Sequence, residues 1–427
     1  MTPNQQTFDN FSEEEARPEL KDVTSHIVDS EHKSAPESDA GYPYIKTSDI
    51  ENGRIDFDDV SYVDKDAYEE WTQRLTPQPG DIVITREAPV GRVGFIADGR
   101  QICLGQRTVL IRPDPDHIDN QFLRYLLLTD DIQNRLNSLS TGSTVDHLNM
   151  SDLRSLELPS LPDLKTQKKI GKMLSNFDEK IELNQKRNEI LEEIAQCLFE
   201  YWFVDYGPYS SDRQSSDNHS PEGFTQGSLG EIAEINHSRI EPGDHPEKVF
   251  QLYSFSGYDE DTQPELEKGE EINSAKYEVS DNTVLVSKLN PSIQRVWRVE
   301  ISPEYGISST EFVNLEPKTD YDLNFVYLLA KSNQFKSYLE SHTTGTSGSH
   351  QRVKQQDILN YSLSIPPEQE LQKFNSLVQP LLESVATNRA ECDNLENLRD
   401  TLLPKLISGE VRVNDISLDD LEVDSEV

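Results

Sequence analysis

Residues 161–206 read LPDLKTQKKIGKMLSNFDEKIELNQKRNEILEEIAQCLFEYWFVDY. Apolar residues recur three and four apart along this stretch, the period of a helix with one apolar seam. One seam position holds Leu174, Ile181, Asn188, Ala195 and Trp202; the other holds Ile170, Phe177, Asn184, Leu191 and Leu198. A seam of this kind needs a partner helix, and a second one lies near the C-terminus. There one position holds Val378, Val385, Cys392, Arg399 and Leu406, and the other holds Leu381, Asn388, Leu395 and Leu402. Four or five heptads amount to about 35–40 residues, or ~55 Å of helix. Asn184 and Asn388 stand 204 residues apart. A buried asparagine costs stability and can fix register, whereas a solvent-facing one does neither; both readings stand. Pro380 sits badly inside a helix and is expected to mark a bend or a first turn. Phe199, Trp202 and Phe203 either pack the helix onto a globule or offer a patch to a partner.

The chain is written twice. Leu20-Lys21-Asp22-Val23 matches Leu229-Gly230-Glu231-Ile232, and the strand Thr108–Pro113 matches Phe312–Pro317. Asn120–Leu127 echoes Leu323–Leu329, Thr141–Thr144 pairs with Thr344–Ser347, and Gln167-Lys168 with Gln372-Lys373. The offset stays near 202–209, too long for a solenoid and right for a duplicated domain plus connector. Each copy reads as an α/β (α+β) globule of roughly 140 residues. In the first copy β-branched strands, a helix at about 120–138 and a Gly/Ser/Thr loop come before the long helix.

The chain has 427 residues, with 78 Asp and Glu against 40 Lys and Arg, a formal charge of −38. That balance argues against a uniformly basic binder of polyanions and against an anionic membrane surface. Disorder is one reading of such acidity. The 16 Tyr, 15 Phe and clear apolar stripes favour the other, a folded protein from a high-salt (halophile) habitat. No apolar run approaches a spanning helix, the N-terminus is too polar for a signal peptide, and Cys103, Cys197 and Cys392 cannot build a disulfide framework. A cytoplasmic protein without membrane contact is expected.

The quoted helix resembles the central connector of the specificity subunits of type I restriction–modification systems. Tyr44–Phe57, Pro79–Ile96 and Cys103–Pro113 are similar to a first target recognition domain of that family, and Ser408–Val413 to its C-terminal ending. The resemblance covers about residues 20–412. It implies two target recognition domains joined by two long antiparallel coiled-coil helices with pseudo-twofold repetition. The boundaries follow as a disordered tail 1–18, recognition domain 19–163, connector 164–206 and linker 207–226. Recognition domain 227–366, connector 367–411 and an acidic tail 412–427 complete the chain. It further implies that each recognition domain reads half of a split double-stranded DNA site, and that the helices set the gap and dock two methyltransferase subunits. A motor–nuclease subunit can join. S-adenosylmethionine, ATP and Mg²⁺ then belong to the partners, and this chain holds no cofactor.

Local charge refines the picture. Residues 82–112 hold five arginines against Glu87 and Asp98; residues 284–298 hold Lys288, Arg295 and Arg298 and no acid. Such basic islands fit phosphate or guanine contact, and the alternative is that the cations pair with neighbouring carboxylates. Candidate DNA contacts in the first half are Lys46, Thr47, Arg86, Arg92, Arg107, Ser143, Thr144, His147 and Asn149. In the second they are Lys288, Asn290, Arg295, Arg298, Thr346, His350, Arg352 and Lys354. The polar loops among them read equally well as ordinary surface turns.

Catalytic signatures are missing. There is no phosphate-binding Gly-x4-Gly-Lys-Ser/Thr loop. Asn290-Pro291-Ser292-Ile293 is similar to the Asn-Pro-Pro-Tyr motif of amino-methyltransferases but lacks its aromatic residue. Asp163 and Asp178-x-Lys180 look nuclease-like on paper, yet the second pair lies on the seamed helix. The histidines show no metal spacing with cysteine, so no metal site is expected. A non-catalytic DNA-reading subunit is therefore preferred to a protein-binding scaffold or a self-sufficient methyltransferase or nuclease.

Overall fold

A computed structural model describes residues 17–140, 147–212, 220–260, 262–299, 305–318, 321–344 and 351–413. The two expected tails lie almost wholly outside these residues, as do Ser143, Thr144, Thr346 and His350. The chain divides into two compact units, Met1–Glu182 with Cys392–Val427, and Leu183–Glu391.

In the first unit, four antiparallel strands lie in the order Thr24–Asp29, Thr108–Pro113, Ile82–Thr85, Val93–Phe95. Successive side chains of a strand face opposite ways, and here both faces are buried. Ile82, Ile84, Val109 and Ile111 face the helices Asn120–Leu128 and Asp130–Leu139. Val83 and Leu110 face the other way, onto Ile45, Ile50 and Leu104. The latter side belongs in part to a second sheet in which Tyr42–Ile45 runs parallel to Cys103–Leu104. Continuous apolar runs such as Ile82-Val83-Ile84 are what a doubly covered strand requires.

The second unit repeats this plan. Its sheet runs Ala233–Ile235, Phe312–Pro317, Val284–Ser287, Val296–Arg298, again antiparallel throughout. Val284, Val286, Val313 and Leu315 face one core, and Leu285 and Phe312 the other. A parallel pair, Val249–Tyr253 with Gly306–Ser308, recurs at the matching place in the second sheet.

The single helix expected at about 120–138 is two. Thr129 is extended (ψ 145°) between Asn120–Leu128 and Asp130–Leu139, and Ser332 (ψ 147°) does the same between Leu323–Lys331 and Asn333–Ser341. Ser332 Oγ accepts from the Phe335 amide, an N-cap in the middle of the apolar pattern.

The first connector helix spans Leu164–Phe199 and continues as a π-turn over Glu200–Val204. The second spans Glu368–Ser408. Within each unit the two helices pair antiparallel. In the first, Asp178 meets Arg399, and the Cys392 sulfur lies 3.8 Å from the Ile181 carbonyl oxygen. In the second, Asn184 meets Glu391, Asn188 meets Asn388 and Glu192 meets Arg389. Ile170, Leu174, Phe177, Ile181, Asn184, Asn188 and Ala195 are buried, with Leu191, Leu198 and Trp202 half-buried. On the second helix Val378, Val385, Cys392 and Leu406 are buried. Leu382 and Leu403 are more deeply buried than the expected Leu381 and Leu402 beside them; Asn388 and Leu395 are half-buried. Pro380 is not at a first turn. It stands in the helix interior, where its missing N–H leaves the carbonyl of Ser376 without its usual helical donor. Phe199 and Phe203 are core residues, with Phe203 ring-centred 5.0 Å from Phe325 and 4.8 Å from Phe374. The docking-patch reading therefore falls for Phe199 and Phe203, whereas Trp202 is half-buried.

Candidate nucleic-acid interface

The strand Ile82–Thr85 runs out into Arg86-Glu87-Ala88-Pro89, and Val284–Ser287 into Lys288-Leu289-Asn290-Pro291. In both, the residue before proline takes a left-handed backbone, φ 52° at Ala88 and 48° at Asn290. In both, an isolated β-bridge ties the turn to the segment that returns to the globule, Glu87 with His147 and Leu289 with Arg352. The two junctions thus share the left-handed residue and the bridge, although the Ala88–Pro89 bond is cis and the Asn290–Pro291 bond is not.

In the first domain the junction is a charge relay. The Arg86 guanidinium donates to Asp29, to the Leu148 carbonyl at 2.9 Å and to His147 Nε2 at 2.8 Å. Arginine can only donate, so Nε2 accepts and the ring proton sits on Nδ1, 2.6 Å from Glu87. Arg107, itself at φ 73°, closes the relay on Glu87 at 3.1 Å. Thr47 donates to the Ala88 carbonyl at 3.4 Å, and Arg92 reaches the Thr47 and Ile50 carbonyls at 3.5 and 3.4 Å. Thr47, Arg86, Arg92, Arg107 and His147 are therefore brought together. Lys46 turns to Glu37 and Ser61 at 2.7 and 2.8 Å, and Asn149 donates to Asp152 at 3.0 Å.

In the second domain Lys288 donates to the Thr310 carbonyl at 2.6 Å, and its own carbonyl accepts from Val353. Arg352 forks onto Glu311 at 3.1 and 3.0 Å, and the Asn290 amide donates to the Gln351 carbonyl. Lys354 is exposed beside them, preceding the short helix Gln355–Leu359.

Two expectations need correcting. Arg86 is 6 % exposed, and its donors are spent inside the fold. Arg295 is 9 % exposed, forked onto Asp259 at 2.7 and 2.6 Å and stacked over Phe255. Neither offers a guanidinium to a phosphate; both act as supports. Arg298 donates to Asn324 at 3.0 Å and is half-buried. Every arginine of the first island is ion-paired: Arg86 with Asp29, Arg92 with Glu51, Arg100 with Asp98, Arg107 with Glu87 and Arg112 with Asp81. The island's excess charge in sequence is thus offset by carboxylates from other segments. Arg107 remains the most open member of the relay, its side chain 46 % exposed.

Sequence reading missed the paired X-Pro turns, although Ala88-Pro89 and Asn290-Pro291 stand 202 residues apart and the duplication could have shown them. It also missed the Asp178 network. There Arg124 and the Tyr125 hydroxyl hold Oδ2 at 2.8 and 2.6 Å, and Arg399 holds Oδ1 at 2.9 Å. Burial pushes this carboxyl up, but Arg124, Tyr125, Arg54 and Arg399 outweigh it and hold it below the ordinary range. Among the described residues no cluster of His, Cys, Asp and Glu is arranged to hold a metal, and no helix is long and apolar enough to cross a membrane.

The profile of the type I restriction modification DNA specificity domain matches residues 19–193 and again 221–397. The MjaIX specificity subunit of Methanocaldococcus jannaschii is 29 % identical over 398 residues, covering 89 % of this chain and 87 % of its own. The HindI specificity subunit of Haemophilus influenzae is 22 % identical, covering 86 % and 94 %. Among solved structures, the type I restriction–modification S subunit from M. genitalium has a similar fold, with a TM-score of 0.59 at 18 % identity over 92 % of this chain and 96 % of that one. With two domains of one plan, two long helices and two matches of a single profile, the chain belongs to the type I restriction–modification DNA specificity family, as a non-catalytic specificity subunit.

Proposed function

We propose that each globular domain reads one half of a split double-stranded DNA sequence and that the paired connector helices set the interval between the halves. Two methyltransferase subunits dock on the helices, and a motor–nuclease subunit can join, in the cytoplasm of a cell adapted to high salt. The observation that carries this reading is the duplicated junction. A left-handed residue before proline, bridged to the returning segment, presents Thr47, Arg92 and Arg107 in one domain and Asn290, Arg352 and Lys354 in the other. Left-handed turns outside glycine cost energy and concentrate where a fixed backbone serves recognition. Ion-paired arginines can exchange a carboxylate for a phosphate when the duplex arrives. Mixed with its methyltransferase partner at high KCl, the protein should form one stoichiometric complex that methylates a split site. Equal methylation of random-sequence DNA would sink the reading.

One observation favours a second reading, a protein-binding scaffold that no longer touches DNA: the full ion pairing of the first island. Arg92→Glu combined with Arg107→Glu separates the two. Loss of methylation at the target supports DNA contact, and unchanged methylation supports the scaffold.

A further inference from the structure

Where Asn184 meets Glu391, the seam between the connector helices turns polar. Asn184 is wholly buried and donates from Nδ2 to Glu391 Oε2 at 2.7 Å. One turn further along, Asn388 donates to Asn188 Oδ1 at 2.8 Å, and Asn188 is buried as well. Neither seam asparagine of the notable pair, Asn184 or Asn388, is turned fully to solvent. Asn184 Oδ1 has no hydrogen-bond partner among the described residues. A leucine at this position would bury without that loss, so the layer is a poor way to gain stability.

It is a good way to choose between alignments. The apolar seam residues of the two helices, such as Leu174, Ile181, Val385 and Leu395, tolerate one another in many registers. The polar layer does not. A slip of one heptad in one direction would set Asn388 against Ile181 and bring Glu391 beside Phe177 and Asp178. A slip in the other would set Asn388 against Ala195 and bring Glu391 beside Leu191 and Glu192. Each sets the half-buried Asn388 amide against an apolar side chain and crowds two carboxylates. We propose that Asn184, Asn188, Asn388 and Glu391 form a register lock, and that this lock, rather than helix length alone, holds the DNA interval to a single value. The second clause rests on the reading that the helix pair sets the interval; the first does not.

Cysteine cross-linking tests the lock directly. Cys392 lies against Ile181, so Ile181→Cys reports the observed register and Leu174→Cys reports a register slipped by one heptad. Cys197, which is exposed, is replaced by serine to remove a competitor. With the layer intact, oxidation should link the Ile181→Cys protein and leave the Leu174→Cys protein mostly unlinked. With Asn184→Leu and Asn388→Leu added, the slipped-to-native yield ratio should rise by about tenfold, the change expected when buried hydrogen bonds stop discriminating. An unchanged ratio overturns the lock. If the double variant does not fold, Asn388→Leu alone carries the same comparison, because it leaves the Asn184–Glu391 bond in place. In complex with the methyltransferase partner, the leucine variants should methylate split sites of more than one interval. If cross-links shift while even the unaltered protein methylates no split site, the interval reading fails and the lock stands.

Discussion

Asp178 of the first connector helix and Arg399 of the second meet at 2.9 Å, while Arg124 from the helix Asn120–Leu128 takes the other carboxylate oxygen at 2.8 Å. One buried acid thus fastens both connector helices to the first globule. Removing one partner of a buried ion pair leaves the others uncompensated, which typically costs about 3–5 kcal/mol. Asp178→Ala should lower unfolding stability by that order, measured by denaturant titration. A loss under about 1 kcal/mol would show that the network contributes little.

The same residue predicts a pH dependence. Its carboxyl titrates below the ordinary range in the folded protein. The unfolded state therefore binds the proton more tightly, and acid favours unfolding. The stabilisation is complete above the unfolded value of about 3.9 and is lost as pH falls through the depressed folded value. Unfolding curves from pH 6 down to pH 2 should show a loss in the parent protein that is smaller in Asp178→Asn.

Arg86 and Arg107 belong to one relay but should fail differently. Arg86→Met strips donors from Asp29, His147 and the Leu148 carbonyl, and should cost about 2–3 kcal/mol of stability. Arg107→Gln should leave the melting temperature nearly unchanged and weaken DNA binding. If Arg107 meets a phosphate, the slope of log affinity against log salt should fall by about one unit. Sequence-specific binding should also persist between about 1 and 3 M KCl, because the counterion term is nearly spent there.

Phe203 fills the aromatic cluster with Phe325 and Phe374. Truncation to alanine should cost about 3–5 kcal/mol, read as a shift in the denaturation midpoint. Ser332→Ala removes a helix cap and should cost about 1 kcal/mol.

Much of the architecture was legible because its signals are periodic. The heptads around Leu174 and Val385 and the repeat from Thr108 to Phe312 need no knowledge of what they pack against. The break at Thr129 was legible in principle, since a hydroxyl followed by two acids is a helix-start signal. It was overridden by the unbroken apolar pattern on either side. The candidate interface was less legible. Local charge tallies placed cations at Arg86 and Arg295, but their carboxylates, Asp29 and Asp259, come from segments 57 and 36 residues away.

A duplicated α+β domain, two seamed helices and a family can be read from the amino-acid order alone, because repetition and period are properties of that order. Which charges are spent, and that Asn184 faces Glu391 rather than water, follow from packing. The physical reason is that a charge or amide acquires its role from its partner, and these partners lie on other strands and helices, at separations that neither composition nor spacing encodes.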